Sequence, residues 1–345
     1  MKRKNYVVPV LVFILALLLI GLFRFKPWQH KAPLVNSQGA AIKVLTVGFL
    51  PVTCHLTCPV TAFASKTSST MRFDSRLYHD WPTVAEAFKS GRLNATFMLA
   101  PMAMQMASEG VGCKIVYLGH RDGSTMIIAK NSTAKSLKDL EGKEIAIPSF
   151  ESNQYLVLLH AMQAQGVPKN SIKFVQLAPP DMPSALAAHA IAGYFVGEPF
   201  AGAAQLSGVG KVLYYSYQLW PHFISCVLVV SDSLIKNHPN QIRDLVRGIA
   251  ESGKWADTHR LLAARIGAHY YHQKVKLLDF VLTNPPGRVK YEHLTPTDAD
   301  MLDIERNAYA AGILKKMIPL SQFLDRQFIP KTIPNVNINA LSCPP

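Results

Sequence analysis

Cysteine is scarce in this chain. There are five among 345 residues, an odd count that excludes a scaffold built on disulfides. Acidic residues are few as well, 22 against 36 Lys and Arg, and charged residues of both signs make up 17% of the sequence while 49% is hydrophobic. That balance excludes a disordered or fibrous chain. No acid at all occurs in the first forty positions, which hold Lys2, Arg3, Lys4, Arg24, Lys26 and Lys31. The remainder carries +8 of the formal +14, dispersed without a Lys/Arg run or a basic helix interleaved with aromatics, which argues against a nucleic-acid groove. Also missing are G-x-S-x-G, H-E-x-x-H and a phosphate-cradling glycine loop, so neither catalysis nor a cofactor is indicated.

What is present begins with an apolar run. Tyr6 to Phe23 is eighteen residues without a charge, about 27 Å long as a helix and close to the thickness of a hydrocarbon core. It continues into Phe25-Lys26-Pro27-Trp28, not into a small-residue cleavage site, so residues 1–24 read as a signal anchor or transmembrane helix. The Lys2-Arg3-Lys4 cluster stays cytoplasmic, which places the bulk of the chain on the periplasmic or extracellular face of the cytoplasmic membrane, or exported if the helix is cleaved. Residues 25–41, with two prolines and no periodicity, read as a tether. Outside, Cys54, Cys58, Cys113, Cys226 and Cys343 face an oxidising space in which at most two pairs can form.

From Ile42 onward, β-rich apolar runs alternate with short helical stretches. A first series runs from Lys43 to Leu118, a second from Thr125 to Val230, and a largely helical remainder includes Pro239 to Arg260 and Pro296 to Gly312. The alternation predicts an α/β fold with mostly parallel sheets covered on both faces. At this length two lobes are expected: residues 42–124 with 231–330 as lobe 1, residues 125–230 as lobe 2, and a tail at 331–345. Open α/β sheets bind ligands beyond the carboxyl ends of their strands, so the loops after Phe49, Leu99, Leu118, Pro148 and Val196 should line a cleft.

Four motifs occur in order along this stretch: Gly48-Phe49-Leu50-Pro51; Ser90-Gly91-Arg92-Leu93-Asn94-Ala95 leading into Met98-Leu99-Ala100-Pro101; Ser136-Leu137-x-Asp139-Leu140-x-Gly142-Lys143; and Tyr194-Phe195-Val196-Gly197-Glu198-Pro199-Phe200. In this the chain, from about Ile42 to Pro330, resembles the solute-binding proteins of nitrate/sulfonate/taurine/bicarbonate-type ABC importers, relatives of the thiamine-pyrimidine precursor binding proteins. The resemblance implies a two-lobed, type II-like periplasmic binding protein fold that closes on a ligand and delivers it to a permease and its ATPase. It also implies hinge strands near Ser124 to Ala129 and Ser225 to Val229. The family often has Asp where this chain has Asn94 and Ala192, so an acidic side chain is absent there.

The most unusual local feature is Thr53-Cys54-His55-Leu56-Thr57-Cys58-Pro59. With Thr57 as N-cap, Cys58 falls in the first helical turn, where free N–H groups and the helix dipole favour a thiolate. Three readings stay open: a Cys54–Cys58 disulfide, ordinary buried side chains, or contact with a ligand or soft metal together with His55 and Cys226. Zinc is disfavoured because a second ligand pair at similar spacing is absent. Trp81 either staples its helix or stacks on a planar ligand. Arg121 either holds an anion or forms a surface turn with Asp122. Ser149, Asn153 and Gln154 lie at a strand-to-helix junction whose free N–H groups suit an anion or carbonyl, although Ser152 is equally a plain N-cap. Glu198 is the expected polar cleft residue, since a buried acid needs a partner. Met98, Met102, Met104 and Met106 follow core spacing.

These features favour capture of a small anionic or heterocyclic solute for an ABC importer, with the membrane reached through the N-terminal helix. Two alternatives remain. One is a membrane-tethered sensor of solute or soft metal; the other is a thiamine-pyrimidine synthesis enzyme of the same fold, against which the lack of a dense cysteine motif counts.

Overall fold

Lys43–Phe49 (KVLTVGF) forms the first strand, β1, and its last three residues are buried because a helical layer and a neighbouring strand close over them. The computed structural model describes residues 43–66 and 71–338, with positions 12, 15 and 16. The expected anchor and tether, those three positions apart, and residues 339–345, Cys343 among them, lie outside the described residues. Among the described residues no helix is long and apolar enough to cross a membrane.

Two five-stranded sheets form the framework. The first has the order β2-β1-β3-β11-β4, with β2 at Met71–Leu77, β3 at Ala95–Met98, β4 at Cys113–Leu118 and β11 at Val227–Ser231. β1 and β3 run parallel, Val47 opposite Ala95, and β3 is buried at all four positions, as a central strand covered on both faces must be. The second has the order β10-β6-β9-β7-β8, with β6 at Ser124–Ala129, β7 at Glu144–Ile147, β8 at Lys173–Gln176, β9 at Gly193–Gly197 and β10 at Gly210–Tyr215. A short ribbon of β5 (Arg121–Asp122) and β12 (Val289–Lys290) stands beside the crossing.

Three expectations change here. The sheets are mixed: β11 runs antiparallel to β3 and β4, and β6 antiparallel to β9 and β10. β11 belongs to the first sheet, so the run Phe223 to Val230 spans the passage from one half to the other instead of closing the second series. No polar break in that run marks the passage. β2 was not expected; as an edge strand it tolerates Arg72, Asp74 and Arg76, which blur its apolar pattern.

The helices follow their caps. Asp80 caps Trp81–Lys89 by accepting from Thr83 N at 2.8 Å, and Ser152 caps Asn153–Ala164 by accepting from Tyr155 N at 3.0 Å. Thr57 is not a cap. The 3-10 turn Thr53–His55 feeds into Thr57–Ser65 through Leu56, already helical at φ −55°, ψ −34°, and Thr57 Oγ1 is left buried without a partner. The tail helices Pro239–Thr258 and Arg260–Tyr271 cover Thr57–Ser65, while Val275–Thr283 reaches the second half and touches Phe200–Leu206. Met98, Met102, Met104 and Met106 are core residues.

Candidate ligand-binding site

The loop after β1 is irregular yet wholly buried, so its backbone groups need partners from elsewhere. The tail supplies two of them: Tyr271 donates its hydroxyl to Val52 O at 2.9 Å and Tyr291 donates to Thr53 O at 2.8 Å. The second half supplies another, Glu198 O, which accepts from Thr53 N at 2.6 Å. His55 is held from behind, its Nδ1 accepting from Leu50 N at 2.7 Å and its ring stacked on Phe97 at 5.0 Å.

In front of this loop the two halves enclose a cavity of about 10 Å³, room for roughly one water. Val52, Cys54 and Trp81 line it from the first half; Pro148, Gln154, Val196 and Gly197 line it from the second, and Ser225 lies on the crossing segment. Trp81 is 3% exposed and stands edge-on to His55 at 5.3 Å. Gln154 Nε2 donates to Ser124 Oγ at 3.0 Å. Three polar atoms of the lining side chains are buried without partners: Trp81 Nε1, Gln154 Oε1 and Ser225 Oγ. Each left so costs about 1–3 kcal/mol, which a bound molecule with matching groups would recover.

Cys54 and Cys226 meet at the edge of this cavity. Their sulfurs and a ring nitrogen of His55 all lie within 4.8 Å of one another, and Cys226 Sγ donates to Cys54 O at 3.4 Å. Gly119 permits this, because a β-carbon there would overlap both Cys226 Sγ and Cys54 O. Burial by itself would raise the Cys54 thiol, but the bond from Cys226 and the imidazoles of His55 and His120 outweigh it and hold Cys54 well below the ordinary thiol value. Cys226 is pushed well above it, by burial first and then by Cys54. His120, with Nε2 2.9 Å from Thr53 Oγ1, is pushed down to about 4 by burial.

This cluster does not offer a metal three ligands. Because Nδ1 of His55 accepts the Leu50 N–H, the uncharged ring carries its proton on Nε2, whereas a ligating imidazole donates from one nitrogen and presents a lone pair at the other. Only the two thiols remain. Cys58 stands apart: it is a free thiol, as are Cys54, Cys113 and Cys226, so the Cys54–Cys58 disulfide is absent. Burial and Asp74 raise its thiol, opposite to the shift expected at a helix start, because the first turn is covered by the tail helices.

Other expected site residues are committed elsewhere. Arg121 donates to Asp300 at 2.8 Å and to the carbonyls of His293 and His222 at 2.9 and 3.0 Å, so its fork holds chain segments together, and it lines a different cavity beside Asp122 and Lys290. Glu198 is fully buried, but its carboxylate accepts from Arg288, from Thr125 Oγ1 at 2.6 Å and from Gly202 N at 2.9 Å. Ser149 Oγ accepts from Glu151 N at 3.1 Å, and Asn153 donates to Ile224 O, facing a different cavity. The structure thus gathers Cys54, Trp81 and Gln154 on one cavity with Cys226 and His55 beside it. Sequence reasoning missed Ser225, next to Cys226 in an apolar run, and Arg288, in a loop with no motif to single it out.

A small cavity thus lies between two α/β halves. Residues 39–268 match the NMT1-like family, and the chain belongs to that family. The taurine-binding periplasmic protein of Escherichia coli K12 is 26% identical over 193 residues, 55% of this chain and 58% of that protein. The chain spans between 30% and 58% of the length of the curated relatives it matches. Among solved structures, the ligand-binding component of an ABC-type import system from Staphylococcus aureus, with zinc bound, superposes with a TM-score of 0.76 at 23% identity, covering 83% of this chain and 97% of that one. The desulfurization enzyme DSZB superposes at 0.60 with 15% identity, covering 83% and 97%. At these identities the structural likeness shows the fold, which serves import proteins and at least one enzyme alike.

Proposed function

We propose that this chain is the extracytoplasmic solute-binding component of an ABC importer, anchored through its N-terminal run and handing its ligand to a permease and ATPase. Its two sheet-bearing halves act as hinged lobes, the first built on β1 to β4 and β11 with most of the helical tail, the second on β6 to β10, the chain crossing between them ahead of β6 and ahead of β11. The observation that carries this reading is the trio of unpartnered atoms, Trp81 Nε1, Gln154 Oε1 and Ser225 Oγ, around a cavity that has room for about one water with the halves together, so a larger solute is admitted by their hinging apart. An indole donor, an amide acceptor and a hydroxyl, with Arg121 turned away, favour a small planar heterocycle bearing both donor and acceptor over a simple anion. We read the protein as a binder without catalysis, in keeping with the binding proteins among its relatives.

Calorimetric titration with neutral heterocycles, sulfonates and nitrate tests this. One heterocycle should bind saturably, and Trp81→Phe and Gln154→Leu should each weaken it by roughly tenfold, one lost hydrogen bond apiece. Binding unaffected by both substitutions would refute the placement of the site.

A further inference from the structure

Two pairs of consecutive residues divide the seam between the halves. Gln154 and Ser225 line the small cavity, while their neighbours Asn153 and Ile224 line a separate cavity of about 270 Å³ on the other side. Its walls are apolar, formed by Leu156, Val157, Trp220, Phe223 and Ile304. Its polar character is one-sided. Neither Lys nor Arg lines it, and apart from the exposed His222 and the indole N–H of Trp220 its hydrogen-bonding side chains, Asn153, Asp300 and Asp303, offer oxygens.

Two of those oxygens are in need of a donor. Asn153 is 3% exposed; its Nδ2 is spent on Ile224 O, which leaves Oδ1 buried without a partner. Asp300 is neutralised by Arg121 at 2.8 Å, but Asp303 meets only the amide of Asn307 at 3.0 Å and forms no ion pair among the described residues. A buried carbonyl acceptor with no donor, together with an exposed carboxylate that has no cation beside an apolar wall, complements an ammonium group on a hydrocarbon body. The volume is just below the usual range for small-molecule sites.

We infer that this cavity is a second binding site, for a small aromatic or aliphatic amine. The hydrocarbon part occupies the apolar walls and the ammonium donors turn to Asn153 Oδ1 and Asp303. The site is formed by the helix Asn153–Ala164, the segment Trp220–Ile224 and the helix Asp298–Ala310, so it spans the same seam as the smaller cavity and its shape depends on how far the halves are closed.

The test uses the full chain at pH 8. Phenethylamine, phenylethanol and phenylacetate are titrated by calorimetry. Phenethylamine should bind saturably and at least about tenfold more tightly than the alcohol, with the acid weaker still. Asp303→Asn, at an exposed position, should reduce amine affinity by roughly tenfold while leaving the melting temperature unchanged. Val157→Trp, which fills the cavity, should abolish binding. Equal affinity for amine and alcohol, no saturable binding, or an Asp303→Asn protein that binds the amine as well as the parent would each overturn the inference.

Discussion

Replacing Arg288 with alanine tests how the helical tail is fastened to the second half. Its guanidinium donates to Glu198 Oε1 from Nε at 2.8 Å and from Nη2 at 2.5 Å, and further to Gln205 Oε1 at 2.7 Å and Asn284 O at 3.0 Å. Both charged side chains are fully buried. The attraction between them is offset by the cost of stripping water from both, so the intact pair contributes little net stability, but removing one partner strands the other charge. With arginine gone, Glu198 keeps only Thr125 Oγ1 and Gly202 N as donors. Breaking a pair of this kind costs about 3–5 kcal/mol. Urea unfolding followed by tryptophan fluorescence reads this directly, and Arg288→Met, Glu198→Gln and the two combined form a double-mutant cycle. The double variant should recover about 2 kcal/mol or more relative to the sum of the singles. A loss below about 1 kcal/mol for Arg288→Ala, or strict additivity in the cycle, would refute the argument.

Two more outcomes follow from the buried titratable groups. His120 is held near 4 in the fold against an ordinary value of 6.5, so the unfolded chain binds the extra proton first. Stability is therefore undiminished above about pH 6.5 and falls as pH drops towards 4, by about 3 kcal/mol in all, and His120→Gln should flatten that slope in urea midpoints taken across the window. Among the four thiols of the described residues, Cys54 should be the first alkylated by iodoacetamide at pH 7 in a peptide-mapped time course, since Cys58 and Cys226 are raised and Cys113 is pushed up to about 12. Earlier labelling of Cys58 or Cys113 would contradict the assigned order.

Much of the framework was legible in the sequence, because strands such as Ala95–Met98 and helices such as Asn153–Ala164 carry apolar runs and a polar cap that no tertiary contact has to override. Cys54, Trp81 and Gln154 line the small cavity, whereas the loops after Leu99 and Leu118 do not reach it. What escaped was the pairing of charges distant in sequence. Arg121 and Glu198 both look like ligand residues until Asp300, 179 residues away from one, and Arg288, 90 residues away from the other, are brought against them by the tail. The Thr57 cap failed for a different reason: the 3-10 turn before it is stabilised by long-range bonds to Tyr271 and Tyr291, which local propensity does not encode.

Those two tyrosine hydroxyls give the last third of the chain a role that its helices alone do not reveal. A chain ended after Ser231 would retain every strand of both five-stranded sheets, yet Val52 and Thr53 would lose the struts that keep their carbonyls in register. The recognition loop is in this sense shaped by remote scaffolding, and swapping tail helices between relatives would retune the cavity's shape without altering a residue that lines it.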